Sequence, residues 1–580
     1  MAKIDRSESN RHKLPKGANI LKTGAVYIND STYKVVPNDG RKPYVSHKKL
    51  CIGKVCDDDR TMFYPNDAYR KRFLGDLPSP PEKSDSLSVG VHAAVRAADD
   101  KLDVRRTLKG SGFSEDESSL IMDLASYMVS EGRAVFQHYP TWARRNALYS
   151  SSVRSDSYIS GFLRGLDLTR IGKFRDMWAL SMLNGSSGKV YLCYDSTNVN
   201  SQAEGVSLVE KGHAKDDPEL EQVNTEYVVR QQDGIPVTYM QYPGSVVDMA
   251  EAERMISYMG KVAANAPQVT LVCDRGYISE DNIKAFRKAG LDYLLLLKSN
   301  WDAGQKVLEK YGSSVKDIYS RYIKEHDVFG HTFPVRLLKG DEADSYVHLI
   351  YDASLQAKHR GILITRIECL KKELLNAVDR KVRMTEDNLN KYRELFDIVT
   401  EEKDTIVAPA RGRGGKRKEQ KSFIITSYRE SDERIAGEFS RCGFFMMVSS
   451  ENITCKQALD AYSKRDCVEK VFQALKSSLG MDKYGVHNEA AMQGKTFIWF
   501  IASIIRSSFS HDIRILREKT DNRKSYTASA AIEQLIAIEA DRNLSDGKYR
   551  RRYALTKTQK EICSALGTGE KAIDEMIGGL

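Results

Sequence analysis

Long apolar runs are missing from this 580-residue chain. The most apolar stretches, such as residues 293–297 and 497–505, fall short of the roughly 20 residues a helix needs to cross a bilayer. Nine cysteines are present, an odd number at scattered spacings and without a CxxC pair. That argues against both a disulfide framework and a cysteine zinc site. The opening residues, MAKIDRSESNRHKLPKG, lack the apolar segment of a signal peptide. Glycine and proline are modest, and no fixed-period repeat, heptad array or low-complexity tract occurs, so a disordered or fibrous chain is excluded. The expectation is a reduced, soluble, cytoplasmic protein with no membrane partner.

What the chain does have is positive charge. Its formal net charge is +10 and its pI about 8.9, which points to a polyanionic partner without identifying one. The length is enough for several domains and a substantial core.

Punctuation along the chain divides it. Residues 21–60 carry short apolar runs broken by Asn38, Asp39 and Gly40, a pattern for a small β-rich head. A proline-marked stretch follows at Pro78, Ser79, Pro80 and Pro81. Ser114 and Glu117 form a capping box ahead of the helical repeat Leu120, Ile121, Leu124, Met128. Residues 1–180 are therefore read as a mainly accessory region.

The next block reads as α/β. Strands are expected at 190–194, 226–229, 237–239, 269–273 and 293–297, with a hairpin at Asp233-Gly234 and helices over 247–259 and from Ser279 to Lys288. Nearly unbroken apolar runs at 269–273 and 293–297 suit strands covered on both faces. Residues 301–460 interrupt the pattern with strand-like pieces at 335–338 and 347–351 and a charged helical stretch over 371–396. A hairpin-like pair is expected at 423–426 and 444–448. Helices are then expected over 462–479, from 498, and over 530–538 with Ser529 as cap. The implied divisions are 1–180, 181–300, 301–460, 461–510 and a basic helical region at 511–580.

Three acidic positions stand out. Asp195 and Asp274 each follow an apolar strand, and ligands of open α/β sheets bind outside such strand ends. The third is Glu469. Tyr462, Arg465, Glu469 and Lys476 fit Tyr-x2-Arg-x3-Glu-x6-Lys, which on one helix places a phenol, two cations and a carboxylate within an arc of roughly 60°. Val468, Val471, Phe472 and Leu475 form a neighbouring apolar stripe. Two Asp and one Glu are hard oxygen donors suited to Mg²⁺ or Mn²⁺.

This conjunction resembles the bacterial insertion-sequence DDE transposases of the IS-four superfamily, with an RNase H-like core and a YREK signature. The resemblance covers roughly residues 185–510. It implies an α/β fold: an RNase H-like mixed sheet with helices on both faces, interrupted by a β-rich insertion before the glutamate and flanked by accessory domains. It implies that Asp195, Asp274 and Glu469 are catalytic and bind Mg²⁺, with Mn²⁺ as substitute, and that Arg465, Lys476 and Tyr462 contact DNA. Gly443, Phe444, Phe445 and Met446 look like the family's last insertion strand. The implied reaction cleaves double-stranded DNA at transposon ends and transfers the 3′-OH into target DNA, carried out by a homodimer on DNA. Two other readings stay open: a nuclease of the same fold without strand transfer, and an inactive, transposase-derived DNA-binding protein.

Other residues are candidates for DNA contact. Related enzymes stack an aromatic on a flipped base, and Trp301 is the position to inspect, with core packing as its other reading. In the loop Arg411–Lys418, glycines separate Arg411, Arg413, Lys416, Arg417 and Lys418. It either tracks a phosphate backbone or is simply solvated. Its glycines do not match a nucleotide-binding Walker pattern. His487 is a neighbour of the signature helix in sequence. Terminal DNA has to be read by groove contacts apart from the catalytic centre, so residues 1–180, as a DNA-binding region, and the C-terminal tail are the candidates, and neither shows a clean helix-turn-helix or zinc-finger pattern.

Overall fold

The computed structural model describes all residues except 1–10, 36–43, 74–82, 185–187, 202, 204, 213–219, 265, 267, 317, 342–343, 408–418, 521–525 and 544. The expected turn at Asn38–Gly40, the Pro78–Pro81 stretch and the loop bearing Arg411, Arg413, Lys416 and Arg417 lie outside the described residues. The chain divides into two compact units, Met1–Ser84 and Asp85–Leu580.

In the first unit, strands His12–Lys13, Met62–Pro65, Tyr44–Val55, Ala25–Val35 and Asn19–Ile20 follow one another across an antiparallel sheet. Val26, Ile52, Val55 and Phe63 form its small core. The β-rich head expected over 21–60 is present.

The second unit is built on a nine-stranded mixed sheet. Its strands are β1 (Val190–Asn200), β2 (Gln222–Arg230), β3 (Pro236–Pro243), β4 (Val269–Cys273), β5 (Asp292–Leu296), β6 (Tyr322–Ile323), β7 (Val328–Val335), β8 (Ser345–Tyr351) and β9 (Phe444–Ser449). Across the sheet they run β6-β7-β8-β9-β5-β4-β1-β2-β3. The first five strands of the chain order occupy positions 3-2-1-4-5, with β1, β4 and β5 parallel, β2 antiparallel to β1, and β3 antiparallel to β2. This is the RNase H-like arrangement. The fully buried pattern of β4 matches its near-continuous apolar sequence.

The segment after β5 does two things. Strands β7, β8 and β9 extend the main sheet, β9 pairing with both β5 and β8. A separate three-stranded sheet (Arg383–Thr385, Glu419–Glu430, Phe396–Val407) packs with helix Ala353–Asp379 around its own core of Leu374, Leu389 and Phe396. The expected pairing of 423–426 with 444–448 does not form. Residues 423–426 pair with Phe396–Val407, and helix Asp432–Arg441 carries the chain away to the main sheet. The charged stretch 371–396 is not one helix either. Lys381 takes a left-handed φ of 48°, and Val382 N–H bonds back to the Ala377 carbonyl, a closure that ends helices. The strand expected at 335–338 lies earlier, at 328–335.

Helices cover both faces of the core. On one lie α1 (Asp248–Ala263) and α2 (Glu280–Ala289), the latter capped by Ser279 as expected. On the other lie α3 (Cys455–Ser463), α4 (Asp466–Ser478) and α5 (Glu489–Lys519). Helix α5 is buried over most of its length, and helices Glu115–Glu131 and Asp156–Gly165 pack on it. The capping box at Ser114 and Glu117 is formed. Strand Ser86–Ser88 pairs with Glu539–Arg542, so residues 85–180 and the C-terminal region both belong to this unit. The next helix, α6 (Ala528–Ile536), is capped by Thr527 rather than Ser529, whose hydroxyl instead accepts from Arg506. Among the described residues no helix is long and apolar enough to cross a membrane.

Candidate active site

Alternation along β1 sorts its side chains. Cys193 and Asp195 face α3 and α4, while Tyr194 and Ser196 face the side of Tyr277. Asp195 does not end its strand, as the sequence reading had it. β1 continues to Asn200 because β2 pairs with it throughout, whereas its parallel partner β4 stops opposite Tyr194. Asp195 is thus the first β1 residue past the end of β4. Asp274 immediately follows β4 and accepts from the Arg275 N–H at 2.7 Å. The two aspartates therefore sit side by side in the middle of the sheet, where β4 ends against β1.

The signature segment is two helices, not one. After Tyr462, the N–H groups of Arg465, Cys467 and Val468 bond to carbonyls three residues back, tightening the chain into a turn at Lys464–Arg465 before α4 begins. The shared face survives the break. Arg465 lies 5.7 Å from the Tyr462 ring centroid and donates to Glu469 Oε1 at 2.6 Å. Val468, Val471 and Leu475 are buried, and Phe472 packs edge-on against Tyr227. The apolar stripe thus anchors α4 as the pattern predicts. The helix stops before Gly480, whose φ is 67° and where a Cβ would lie 2.6 Å from the Ala134 backbone nitrogen.

Arg465 ties the site together. Its Nη1 donates to Asp195 Oδ2 at 3.0 Å and its Nη2 to Glu469 Oε1. The Tyr462 hydroxyl donates to Asp274 Oδ1 at 3.2 Å. The end of β4 and the start of α4 thereby place Asp195 and Glu469 on one guanidinium and Asp274 on the phenol whose ring lies beside it. Burial works to lower the Arg465 pKa, but the pull of Tyr462, Asp195, Asp274 and Glu469 prevails and raises it. Burial first, and then Asp274, raise that of the Tyr462 phenol.

Three carboxylates are the donor set that suits a hard divalent cation. In the present arrangement Arg465 supplies the compensating charge, and among the described residues no three His, Cys, Asp or Glu side chains are grouped to hold an ion. The donor chemistry fits a metal. A ligand set requires Arg465 to yield at least one carboxylate.

The remaining candidates are more distant in chemistry. Lys476 lies half-buried two turns along α4 from Glu469. Trp301 is half-buried against the main core, at the start of helix Asp302–Lys316. His487 is exposed. Sequence reasoning missed Glu226. It lies on β2 opposite Ser196, is 1% exposed and accepts a hydrogen bond from the Tyr194 hydroxyl. Burial pushes its pKa up to about 8. The signal was an acid at the head of the apolar run Tyr227-Val228-Val229.

Comparison with known proteins adds the following. The family model described as "Transposase DDE domain" matches residues 186–505. No curated protein matches the chain. Among solved structures, a piggyBac transposase in a synaptic complex with hairpin DNA aligns over 76% of this chain and 70% of its own, at 11% identity and a TM-score of 0.32.

Proposed function

We propose a specific reaction for this chain, which belongs to the transposase DDE-domain family and is a DNA transposase: cleavage at transposon ends followed by transfer of the freed 3′-OH into target DNA. The observation that carries this reading is the binding of Asp195 and Glu469 by Arg465, and of Asp274 by the adjoining Tyr462, where β4 ends. Asp195, Asp274 and Glu469 would hold Mg²⁺ or Mn²⁺, which supplies Lewis-acid activation of the attacking oxygen and stabilisation of the leaving one.

The chain's own residues do the positioning. Arg465 balances the carboxylates in the free protein and offers a planar fork to a backbone phosphate once DNA enters. Tyr462 donates one hydrogen bond, and Lys476 adds a point charge along the same helix face. Water attacks the phosphodiester in line and the 3′ oxygen leaves as the hydroxyl. That hydroxyl then attacks a target phosphodiester, so no covalent protein intermediate forms. Joining two ends calls for two copies of the chain on DNA.

Asp195→Asn, Asp274→Asn and Glu469→Gln each test the assignment. Metal-dependent cleavage of an end-bearing duplex is expected to fall by at least about 100-fold in each, with binding of the same duplex largely kept. Full cleavage by any one of them removes that residue from the site.

A further inference from the structure

On the side of α4 away from Glu469 lies a cavity of about 870 Å³. It is walled by the start of α4, the foot of β1, the β2–β3 turn, the second half of α5 and the start of α6. The cavity is strongly basic. Lys189, Arg230, Lys464, Lys470, Arg514 and Arg517 line it, against Asp233 and Asp466. Three of those cations are committed: Arg230 to Asp233 at 2.5 Å, Lys470 to Asp466 at 2.6 Å, and Lys189 to Glu451. Lys464, Arg514 and Arg517 form no ion pair with any described carboxylate.

Arg506 adds a second, independent observation. It lies on the same stripe of α5 as Ser510, Ile513 and Arg517, at steps of four, seven and eleven residues. It is 6% exposed, and its Nε and Nη1 are buried without a hydrogen-bond partner. Its Nη2 donates to Ser529 Oγ at 2.8 Å, and no described carboxylate pairs with it. A buried guanidinium without a counter-charge is costly. Arg506 does not itself line the cavity, but its α5 neighbours Ser507 and Ser510 do, and an anion held there by Lys464, Arg514 and Arg517 would offset part of that cost.

We infer that this cavity is a second anion site, for a ligand carrying several phosphate groups. Several cations converging on one concavity match a multiply charged ligand better than a single carboxylate, and Arg514 and Arg517 present the fork geometry that phosphate accepts. Such phosphates have two sources, a free nucleoside triphosphate or a single strand of DNA laid along α4. The inference goes beyond the proposed reaction and does not depend on it, because the lining residues exclude Asp195, Asp274 and Glu469.

Fluorescence anisotropy of the full chain tests it, with a labelled nucleoside triphosphate and a labelled 5′-phosphorylated single-stranded oligonucleotide as probes in metal-free buffer. The variants are Arg514→Glu and Lys464→Glu, with Lys284→Glu on α2 as an equal-charge control. The expected result is binding of at least one probe, weakened at least tenfold in both cavity variants and less than twofold in the control. Triphosphate binding identifies the free nucleotide as the source, and binding of the oligonucleotide alone identifies a strand. The inference is overturned if neither probe binds, or if the cavity variants bind as the control does. Circular dichroism on each variant separates lost binding from lost fold. A chain that fails to cleave DNA yet shows this pattern leaves the inference standing.

Discussion

Arg465 is the residue whose chemistry is hardest to replace. One guanidinium reaches Asp195 on β1 and Glu469 on α4 at the same time, at 3.0 and 2.6 Å. Lysine keeps the charge but presents a single ammonium, which cannot span both carboxylates in the planar geometry of a fork. Arg465→Lys is expected to fold normally by circular dichroism and to lose at least about tenfold in cleavage rate. Wild-type cleavage by this variant would reduce the clamp to a surface ion pair. The Tyr-Arg-Glu-Lys spacing was legible because helical periodicity brings positions four apart together. That one arginine would also bind a strand-borne aspartate was not legible, because the pairing spans 270 residues of sequence.

The elements divide in the same way. The apolar parts of β1 to β5 were readable because polar turns set them off, while the polar ends of β1, β2 and β3 were not, and the Asp233-Gly234 hairpin behaved as its dipeptide predicts. The partner of 444–449 was not readable. An apolar run states that it will be buried but not between which neighbours, and this one inserts between β5 and β8. The break at Lys464–Arg465 also left no mark in composition. At this scale the Tyr194–Glu226 contact, which joins β1 to β2, makes a pH-dependent prediction. The Glu226 pKa rises from 4.5 to about 8 on folding, through burial. The folded state therefore holds a proton that the unfolded state has lost over this range, and stability falls as pH rises from about 4.5 through about 8. Glu226→Gln keeps a neutral hydrogen-bonding side chain. It is expected to flatten that part of the Tm-against-pH curve and to raise Tm at pH 8 relative to the parent. Parallel curves would remove Glu226 from the account.

For the whole molecule, net charge is the governing quantity. A chain carrying +10, with basic groups spread over α4, α5 and the C-terminal region, is expected to bind duplex DNA through phosphates. Such affinity falls log-linearly with salt, by about tenfold or more between roughly 50 and 200 mM. A filter-binding or anisotropy titration across that range checks it, and a flat response would argue against a phosphate-led interface.

The placement of β9 also sets an order of events. β5 is complete at Leu296, but the strand that pairs with its free edge begins only at Phe444. Closing such a distant pair is entropically slow. On a ribosome, Asp195 and Asp274 are made well before the glutamate and its arginine. The two aspartates are thus without their guanidinium throughout the synthesis of the intervening segment, and the site is finished only when β9 closes on β5 and α4 docks.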